Sequence, residues 1–466
     1  MLLPTRLTAT ALAVALAVAA LPGLLTTHAQ ATSHRAATPS TALPHQLIVG
    51  YKPGTPQATS DQAVKNSLHA QQRATPTYTF ERRLATGAVL LSLPDNSPAT
   101  ALTAAAKQLA ANPDVAYAEP DHILQTTAEP NDPRWGEQWD LWDEYAGMNV
   151  PPAWPRATGN GVTVAVIDSG YATHSDLEAN VVDGYDFLSH APSARDGDGR
   201  DPDYHDPGNW AEAGACAPGT PARDSDWHGT HVAGTIAAQT DNAKGVASTA
   251  HDAKVQPVRV GGACGALTSD IAEAIIWAAG GTVPGVPANK TPAKVINMSI
   301  GGPAPCATIT QLAINYAVSR GTTVVTSAGN ANADAATNQP GNCDNVITVA
   351  ASDRHRNRGS YSNYGAAVEI TAPGGTFNDN PADGILSTHN TGTTTPGQET
   401  YHALVGTSMA APHISALAAL ILQLRPDHTP AQVQDVITTT ASPITSCGDD
   451  CGAGLADATA AVRSLT

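Results

Sequence analysis

Charged residues are scarce in this chain of 466 residues: Asp, Glu, Lys and Arg together make up 14%. Glycine and proline are plentiful, at 40 and 35 residues, and 42% of the chain is hydrophobic. Coiled coils and disordered segments are rich in charge, so this composition favours a compact fold with a large core and long loops. The length allows two or three domains.

Basic residues are fewer than acidic ones. Lys and Arg total 24 against 41 Asp and Glu, which gives a net charge of −17. Nucleic acids and anionic membrane surfaces attract proteins of the opposite charge, so the sequence argues against both as partners. The acidic excess suits cation binding.

Long apolar runs are absent except at the start of the chain. Arg6 gives a positive start, Leu7–Ala20 is apolar apart from threonines, and Pro22 and Gly23 break the helical pattern. Ala29-Gln30-Ala31 is a small-x-small cleavage site, so residues 1–31 are predicted to be a signal peptide and the mature protein to be secreted. An uncleaved membrane anchor is the alternative. No other run is long enough to span a bilayer, so no membrane association is expected after signal removal.

Cysteine is missing from residues 32–130. The six cysteines lie further on, and they are Cys216, Cys264, Cys306, Cys343, Cys447 and Cys451. An exported chain with six cysteines is expected to form disulfides. Six cysteines allow 15 pairings, and sequence alone does not choose among them.

The first block after the signal alternates strand and helix patterns. Strands are predicted at 45–54, near 76–81 and at 87–94, helices at 59–73 and from 97, and the last helix runs into a further strand by residue 115. The order β-α-β-β-α-β is the split βαβ pattern of ferredoxin-like α+β domains. The block ends in "VAYAEPDHILQTTAEPNDP", whose Pro, Asp and Glu indicate an exposed linker.

The second block starts near residue 128 and predicts an α/β fold. Its buried strands are predicted at 161–170, 254–260, 294–302, 322–330, 345–352 and 367–375. Its helices are predicted at 229–239, 269–279, 308–320, 408–423 and 430–440. Such alternation implies a parallel sheet covered by helices on both faces. In these sheets, sites form where the carboxyl ends of strands meet loops.

Four side chains that could take part in catalysis are expected at the ends of strands or the starts of helices. Asp168 ends "VTVAVID", His228 opens a helix in "DSDWHGTHVAG", Asn330 ends "VVTSAGN", and Ser408 opens the helix in "GTSMAAPH". One crevice could therefore gather them. An acid, an imidazole and a hydroxyl are the parts of an activated serine nucleophile.

The motifs resemble those of the subtilisin-like serine peptidases over roughly 128–466. "VIDSG", "HGTHVAGT", "VINMSIGGP", "SAGN" and "GTSMAAPH" occur in the family's chain order Asp, His, Ser. That order excludes the α/β-hydrolases, which run Ser, Asp, His. The resemblance implies a secreted bacterial serine endopeptidase that acts on proteins or peptides through an acyl-enzyme.

The family's roles carry over by position. The resemblance makes Ser408 the nucleophile, His228 the general base, Asp168 the carboxylate that orients it, and Asn330 the side-chain donor of the oxyanion hole. Substrate main chain is expected to bind as an added strand along Ser299-Ile300-Gly301, with the Gly-rich segment 261–266 as the opposite wall. A broad P1 preference with an apolar bias is expected.

Two other functions remain as alternatives. One is a catalytically inactive binding or adhesion protein on the same fold. The other is a zinc hydrolase that uses His228 and His231, but zinc peptidases need a third ligand and usually the H-E-x-x-H spacing, whereas Gly and Thr separate these histidines. His231 is therefore expected to be a packed, hydrogen-bonded supporting residue. Asp224 and Asp226 are expected to be loop and helix-start carboxylates.

The first block resembles the inhibitor-like propeptides of the same enzymes, most clearly at "VAYAEPD". The organisation predicted is a signal peptide at 1–31, a propeptide at 32–127 and a peptidase domain at 128–466. The resemblance implies an intramolecular chaperone whose tail lies in the cleft, is cut between Gln125 and Asn131, and then inhibits the enzyme. A permanent second domain is the alternative.

Calcium and disulfides are also implied by the resemblance, whereas no organic cofactor is. One calcium ion would bind side chains or carbonyls of Asp132, Asp176, Gln239, Asn242, Lys244 and Val246. The segment between the catalytic aspartate and Asp176 is one residue shorter than usual for the family. A second acidic loop offers Asp196, Asp198, Asp201, Asp203 and Asp206, although a solvated loop would have the same pattern.

The disulfides expected are Cys216–Cys264, Cys306–Cys343 and Cys447–Cys451, and the enzyme is expected to be a monomer.

Overall fold

The computed structural model describes residues 46–71, 78–94, 99–121, 129–378, 380–444 and 446–465. The predicted signal peptide and the maturation segment before residue 129 lie outside these ranges. The chain divides into two units, Met1–Gln125 and Thr126–Thr466.

The first unit is a four-stranded antiparallel sheet with helices. Its elements are β1 (Gln46–Tyr51), α1 (Pro56–Thr59), α2 (Asp61–Gln71), β2 (Thr79–Arg83), β3 (Val89–Ser92), α3 (Ala99–Ala110) and β4 (Val115–Pro120). The strand order is β2-β3-β1-β4. Alternate residues of β1, Leu47 and Val49, are fully buried and pack with Val64 and Leu68 of α2. The split βαβ prediction is confirmed.

The second unit is built on a parallel sheet of seven strands. The strands of the whole second unit, inside and outside this sheet, are β5 (Thr163–Asp168), β6 (Tyr185–Asp186), β7 (Lys254–Arg259), β8 (Val295–Met298), β9 (Gly302–Pro303), β10 (Thr323–Ser327), β11 (Asn338–Gln339), β12 (Ile347–Ser352), β13 (Ile370–Pro373), β14 (Ile385–Asn390) and β15 (Glu399–Leu404). The large sheet has the order β13-β12-β10-β8-β5-β7-β6, and every pairing in it is parallel. Two small antiparallel ribbons, β9 with β11 and β14 with β15, lie outside it.

Helices cover both faces of this sheet, as predicted. They are α4 (Trp139–Trp142), α5 (Ala191–Ala194), α6 (His228–Ala237), α7 (Thr268–Ala278), α8 (Thr308–Ser319), α9 (Thr407–Leu424), α10 (Pro430–Thr439) and α11 (Ala458–Ser464). Short 3-10 turns occur at Trp135–Glu137, Pro151–Ala153, Glu178–Asn180, Ala335–Thr337, Pro381–Asp383 and Gly448–Cys451.

The pleat of β5 explains why both faces are apolar. Val164 and Val166 belong to the core formed with α6 and α9, whereas Ala165 and Ile167 belong to the core formed with α7 and α8. Successive side chains of a strand point to opposite faces, so a strand buried on both faces needs a continuous apolar run. The apolar run ends at Asp168, the residue at the carboxyl end of β5.

The helix α9 is long and apolar enough to cross a membrane by length and composition, so the expectation that no run after the signal peptide would be is wrong, and it is the one such helix within the described ranges. Its apolar window is 83% buried in the second unit. Residues from Met409 to Leu422 pack against β8, β10 and β12 in the larger core. It is therefore the central core helix of this unit.

Candidate active site

The chain brings Asp168, His228, Asn330 and Ser408 to one cleft of about 610 Å³ in the second unit. Asp168 is the last residue of β5, His228 is the first of α6, and Ser408 is the second of α9. In the sheet, β7 lies on one side of β5 and β8 lies on the other. Crevices open at such points in parallel sheets, at the carboxyl ends of the strands.

His228 and Asp168 form a hydrogen-bonded ion pair. Nδ1 of His228 donates to Oδ1 of Asp168 at 2.8 Å, and the Asp168 side chain is 2% exposed. The same Oδ1 accepts the backbone N–H of Ser169 at 2.8 Å. Burial alone would lower the pKa of His228, but the charge and hydrogen bond of Asp168, with smaller contributions from Asp226 and Asp206, raise it to about 9. The contact fixes the imidazole with Nε2 free for another partner.

Ser169 joins the end of β5 to the start of α6. Its Oγ donates to Oδ2 of Asp206 at 2.9 Å and accepts the backbone N–H of Gly229 at 3.0 Å. Asp206 also accepts the N–H of Gly208, and burial raises its pKa to about 6. The sequence pattern predicts Asp206 as part of a calcium loop and indicates no role for Ser169. The Ser169 hydroxyl, which follows Asp168 in "VIDSG", is the sequence feature that could have indicated this role.

Asp226 and His231 have the supporting positions expected of them. Oδ1 of Asp226 accepts the backbone N–H of His228 at 3.3 Å and the amide of Asn209 at 2.8 Å. His231 is fully buried, and its Nε2 lies 2.9 Å from the carbonyl oxygen of Ile385. Burial, the largest cause, lowers its pKa to about 3, so this histidine is neutral and donates through Nε2. A nitrogen that donates to a carbonyl is not free to bind zinc.

Ser408 is linked to the end of β8 by two reciprocal hydrogen bonds. Its Oγ donates to the carbonyl oxygen of Ser299 at 3.0 Å, and Oγ of Ser299 donates to the carbonyl oxygen of Ser408 at 2.8 Å. Asn297 supports this pair by donating to Oγ of Ser299 at 3.0 Å. The nucleophile candidate therefore lies at the amino-terminal turn of an 18-residue helix, where the helix dipole is positive.

Asn330 is oriented by the residue that precedes Ser408. Its Oδ1 accepts two hydrogen bonds from Thr407, from the backbone N–H at 2.9 Å and from Oγ1 at 3.0 Å. This leaves the Nδ2 group for the cleft. A Cβ placed on Gly406 would lie 3.4 Å from that Nδ2 and 3.7 Å from the backbone nitrogen of Ser408. Glycine therefore keeps open the space that faces both donors.

The expected substrate walls line the same cleft. Ser299, Ile300 and Gly301 lie on one side, and Gly261, Gly262 and Gly265 also border the cleft. The strand predicted through 302 stops at Met298, and no strand pairs with Ser299-Ile300-Gly301 in the described part of the chain. An unpaired edge can accept an extended peptide as an additional strand.

Asp132, Asp176 and Asn242 come together as predicted for a calcium site. Asn242 Nδ2 donates to Oδ1 of Asp176 at 2.6 Å, and the N–H of Val246 donates to its Oδ2 at 3.1 Å. Oδ2 of Asp132 accepts the N–H of Asp241 at 2.9 Å, while its Oδ1 is buried with no hydrogen-bond partner. Burial, with a smaller contribution from the charge of Asp176, raises the pKa of Asp132. A buried, unpartnered carboxylate oxygen fits a cation ligand.

Gln239 and Lys244 lie on the same loop. The N–H of Gln239 donates to the carbonyl oxygen of Asp176 at 2.7 Å, and the N–H of Lys244 donates to Oδ1 of Asn242 at 2.8 Å. The backbone of this loop has positive φ at Asp241, Ala243 and Gly245. The short spacing before Asp176 therefore does not prevent it from reaching this loop.

The second acidic loop is divided among different partners. Asp196 pairs with the buried Arg259, which also binds Asp186. Asp203 pairs with His205 at 2.6 Å. Asp198 and Asp201 remain neighbours, and burial together with Asp198 raises the pKa of Asp201. Within the part of the chain that the structure describes, no three His, Cys, Asp or Glu side chains are grouped so as to hold a metal ion.

The structure pairs the cysteines as expected: Cys216 with Cys264, Cys306 with Cys343, and Cys447 with Cys451. The first bond joins the loop before α6 to the Gly-rich wall of the cleft. The second joins the segment after β9 to the segment after β11, which are both next to the cleft.

Known proteins place this architecture in one family. Residues 159–459 match the model of the Subtilase family, and residues 30–121 match that of the Fervidolysin N-terminal prodomain. An extracellular protease of Xanthomonas campestris pv. campestris is 48% identical over 438 residues, which are 91% of this chain and 74% of that protein. An extracellular basic protease of Dichelobacter nodosus is 39% identical over 433 residues, covering 90% of this chain and 70% of that protein.

Solved structures agree with the sequence matches. The structure of proteases from Pseudoalteromonas arctica has a TM-score of 0.72 and 50% identity, and it covers 73% of this chain and all of that one. Fervidolysin from Fervidobacterium pennivorans has a TM-score of 0.54 and 25% identity, covering 92% of this chain and 62% of that one. The chain therefore belongs to the subtilase family and is a serine endopeptidase with an N-terminal prodomain.

Proposed function

We propose that the peptidase reaction uses Ser408 as nucleophile, His228 as general base and Asp168 as the carboxylate that orients His228. The observation that supports these roles best is the 2.8 Å contact between His228 Nδ1 and Asp168 Oδ1 in the cleft that Ser408 also lines. Because Asp168 fixes Nδ1 as the donor, Nε2 is the nitrogen that accepts the proton of Ser408.

Acylation begins when Oγ of Ser408 leaves the carbonyl oxygen of Ser299 and turns to Nε2 of His228. Catalytic hydrogen bonds often form only in the substrate complex. Oγ attacks the scissile carbonyl carbon as its proton passes to His228, and Asp168 stabilises the imidazolium. His228 then returns the proton to the leaving amine, and water repeats the sequence to release the acyl group.

The negative oxygen of the tetrahedral intermediate binds Nδ2 of Asn330 and the backbone N–H of Ser408. Both groups are fixed before substrate arrives, the first by Thr407 and the second by α9. Donors held in advance need no reorganisation as charge develops, and this is why they lower the barrier. Substrate main chain binds along Ser299-Ile300-Gly301.

The chain is secreted through the signal peptide at 1–31 and matures by its own activity. The extracellular relatives support secretion. Residues 32–127 act as chaperone and inhibitor of the peptidase domain at 128–466, and cleavage falls between Gln125 and Asn131. The substrates are proteins or peptides, and the mature enzyme is a monomer that binds neither nucleic acid nor membranes.

Asp132, Asp176 and Asn242 would hold a calcium ion, together with carbonyl oxygens of Gln239, Lys244 and Val246. The buried Oδ1 of Asp132 supports this site. A bound ion would neutralise two neighbouring carboxylates and would hold the segment before α4 against the loop after α6. The acidic loop at 196–206 stays a prediction, and Asp196, Asp203 and Asp206 each have another partner.

Self-maturation tests this function on the full chain. Wild-type protein is expected to yield a mature form whose first residue lies within 126–131, and Ser408→Ala is expected to stay at full length. Adding catalytic amounts of mature enzyme should then process the Ser408→Ala chain. Cleavage of purified Ser408→Ala at the same bond without added enzyme would contradict the proposal. The alternative of a catalytically inactive binding protein has no support, because one cleft contains all four candidate catalytic residues, Asp168, His228, Asn330 and Ser408.

A further inference from the structure

We propose that Trp227 is a positioning residue for the general base: it ties the strained turn before His228 to the loop between β14 and β15 and so keeps the imidazole aligned with Asp168. The inference rests on the proposed function, because it takes His228 as the base. It adds a residue outside the cleft to the groups on which the reaction depends. Residues 391–398, which connect β14 to β15, form the hairpin loop.

The backbone at Trp227 is in the left-handed region. Its φ is 48° and its ψ is 33°, and the residue directly precedes His228, the first residue of α6. Bulky residues rarely adopt this conformation, which glycine adopts without strain. Such strain persists only where the surrounding structure holds the residue, and it occurs most often at functional sites. Contacts of Trp227 and its neighbours must therefore hold this turn.

The indole of Trp227 makes one of these contacts. The side chain is fully buried, and its Nε1 donates to the carbonyl oxygen of Gly392 in the hairpin loop at 2.6 Å. The backbone carbonyl oxygen of Trp227 accepts the N–H of His231 at 3.2 Å, which begins the hydrogen bonding of α6. One residue therefore joins the hairpin loop to the helix that carries His228.

The two residues before this tryptophan are held by the same ribbon. The N–H of Ser225 donates to the carbonyl oxygen of Thr393 at 2.8 Å, and its Oγ donates to the carbonyl oxygen of Thr394 at 2.5 Å. From β14, Nε2 of His389 lies 3.0 Å from the carbonyl oxygen of Asp226. Three successive residues before α6 are thus bound to β14 and the hairpin loop.

The hairpin loop has a defined shape, although most of its residues are exposed. Oδ1 of Asn390 accepts the N–H of Gly392 at 3.0 Å and the N–H of Gly397 at 2.7 Å. A Cβ placed on Gly392 would lie 2.0 Å from the carbonyl oxygen of Thr395, so a side chain would not fit there. The carbonyl group that accepts the indole N–H is therefore presented by a loop closed through its own contacts.

A displacement of this turn would move the imidazole. Nδ1 of His228 reaches Oδ1 of Asp168 at 2.8 Å from the first residue of α6, so the contact depends on the backbone that begins the helix. A catalytic group misplaced by about 1 Å can lose roughly 10²-fold in rate. His228 lines the cleft but Trp227 does not. Loosening Trp227 is therefore expected to lower kcat and to leave KM nearly unchanged.

The experiment compares Trp227→Phe and Trp227→Gly with wild-type mature enzyme. Trp227→Phe keeps a buried ring but leaves the carbonyl group of Gly392 without its donor, and kcat should fall about tenfold with less than a twofold change in KM. Trp227→Gly relieves the strain but removes the ring, and kcat should fall about 10²-fold. Titration with a phosphonyl fluoride counts active sites, so that misfolded protein does not enter the rate constants.

A second measurement separates positioning from stability. The proton between Nδ1 of His228 and Asp168 gives a low-field nuclear magnetic resonance signal that depends on the geometry of this hydrogen bond. A positioning role predicts that the signal shifts or broadens in Trp227→Phe at temperatures well below unfolding. A role in stability alone would leave the signal as it is in the wild-type enzyme.

The matched control is Trp277→Phe. Trp277 is also buried, and its Nε1 donates to the carbonyl oxygen of Pro287 at 2.7 Å, but it does not line the cleft. This variant should lose stability and keep the kcat and the low-field signal of the wild-type enzyme. A kcat loss in Trp277→Phe equal to that in Trp227→Phe would overturn the inference.

The inference would also be overturned by a kcat in Trp227→Phe within twofold of wild type or by an unchanged low-field signal. If neither Trp227 variant folds, Ser225→Ala decides, because it removes only the contact with Thr394 and should lower kcat about threefold. An unchanged kcat in Ser225→Ala would then overturn the inference. Wild-type enzyme that lacks peptidase activity, or is not labelled on Ser408, would count against the proposed function instead.

Discussion

Oδ1 of Asn330 accepts two hydrogen bonds from Thr407, from the backbone N–H at 2.9 Å and from Oγ1 at 3.0 Å. An amide oxygen held in this way turns the Nδ2 group of Asn330 toward the cleft. Thr407 directly precedes Ser408, so one residue positions the side-chain donor next to the nucleophile. The geometry of the oxyanion hole is therefore set by contacts 77 residues apart in sequence.

Asn330→Ala is expected to fold but to lose about 10²–10³ in kcat, the size of loss measured for the corresponding donor in subtilisin, another member of the family. The loss follows because the oxyanion keeps only the backbone donor of Ser408. Steady-state kinetics with active-site titration would measure it. Asn332→Ala, an exposed residue two positions on, should keep normal kcat, and a near-normal kcat in Asn330→Ala would remove Asn330 from the oxyanion hole.

Thr407→Val should lower kcat several-fold with little change in KM. The substitution removes the Oγ1 contact that orients the Asn330 amide but keeps the backbone N–H contact, and one neutral hydrogen bond contributes about 0.5–1.5 kcal/mol. Thr407→Ser retains the hydroxyl and should recover most of the activity. A loss in the serine variant as large as that in the valine variant would contradict this account, because serine keeps the hydroxyl and lacks only the methyl group.

The apparent pKa on the acid side of the pH-activity profile should lie above the ordinary pKa of a histidine. His228 acts as a base only when neutral, so activity rises as pH passes through its pKa. Asp168 and the nearby Asp226 and Asp206 raise that pKa to about 9, and the partly exposed side chain of His228 allows water to screen these charges. The apparent pKa of kcat/KM is therefore expected between 6.5 and 9.

Asp226→Asn should move that acid limb to lower pH by about half a unit. The change removes one negative charge that favours the imidazolium, and interactions of partly exposed charges are of this size. The asparagine oxygen can still accept the N–H of His228. Asp224→Asn, at an exposed position on the same loop, is the matched control. A limb that moves upward in Asp226→Asn would contradict the electrostatic account of His228.

Calcium removal should shorten the half-life of the mature enzyme at elevated temperature. Without the ion, the carboxylates of Asp132 and Asp176 repel one another and Oδ1 of Asp132 stays buried and unpaired. Asp132→Asn should have a shorter half-life in calcium and a smaller response to a chelator, whereas Asp427→Asn, at an exposed position, should behave as wild type. A chelator that leaves the wild-type half-life unchanged would refute the calcium proposal.

Local patterns predicted the elements that carry the chemistry. The strand that ends at Asp168 and the helix that opens at Ser408 lie within a few residues of their predicted bounds, because buried apolar runs and turn residues are local signals. The ribbon of β14 and β15 was not predicted. Its first strand ends in "STHN", and the alternation is hidden because Ser387 and Thr388 are buried by hydrogen bonds to carbonyls of α6.

Contacts between distant residues could not be predicted. The orientation of Asn330 depends on Thr407, and the role of Asp206 depends on Ser169, 37 residues earlier. The sequence placed Asp196 in a cation loop, whereas the structure pairs it with Arg259, a buried residue whose charge had no visible partner in the sequence. Residue types identify possible partners, but only the fold brings particular partners together.

Covalent labelling tests the central claim most directly. Mature enzyme treated with a phosphonyl fluoride is expected to take up one mole of reagent per mole of protein, with the adduct on Oγ of Ser408 and a parallel loss of peptidase activity. Ser408→Ala should take up none. An adduct on any other residue, or activity that survives full labelling but is lost to a zinc chelator, would contradict the account.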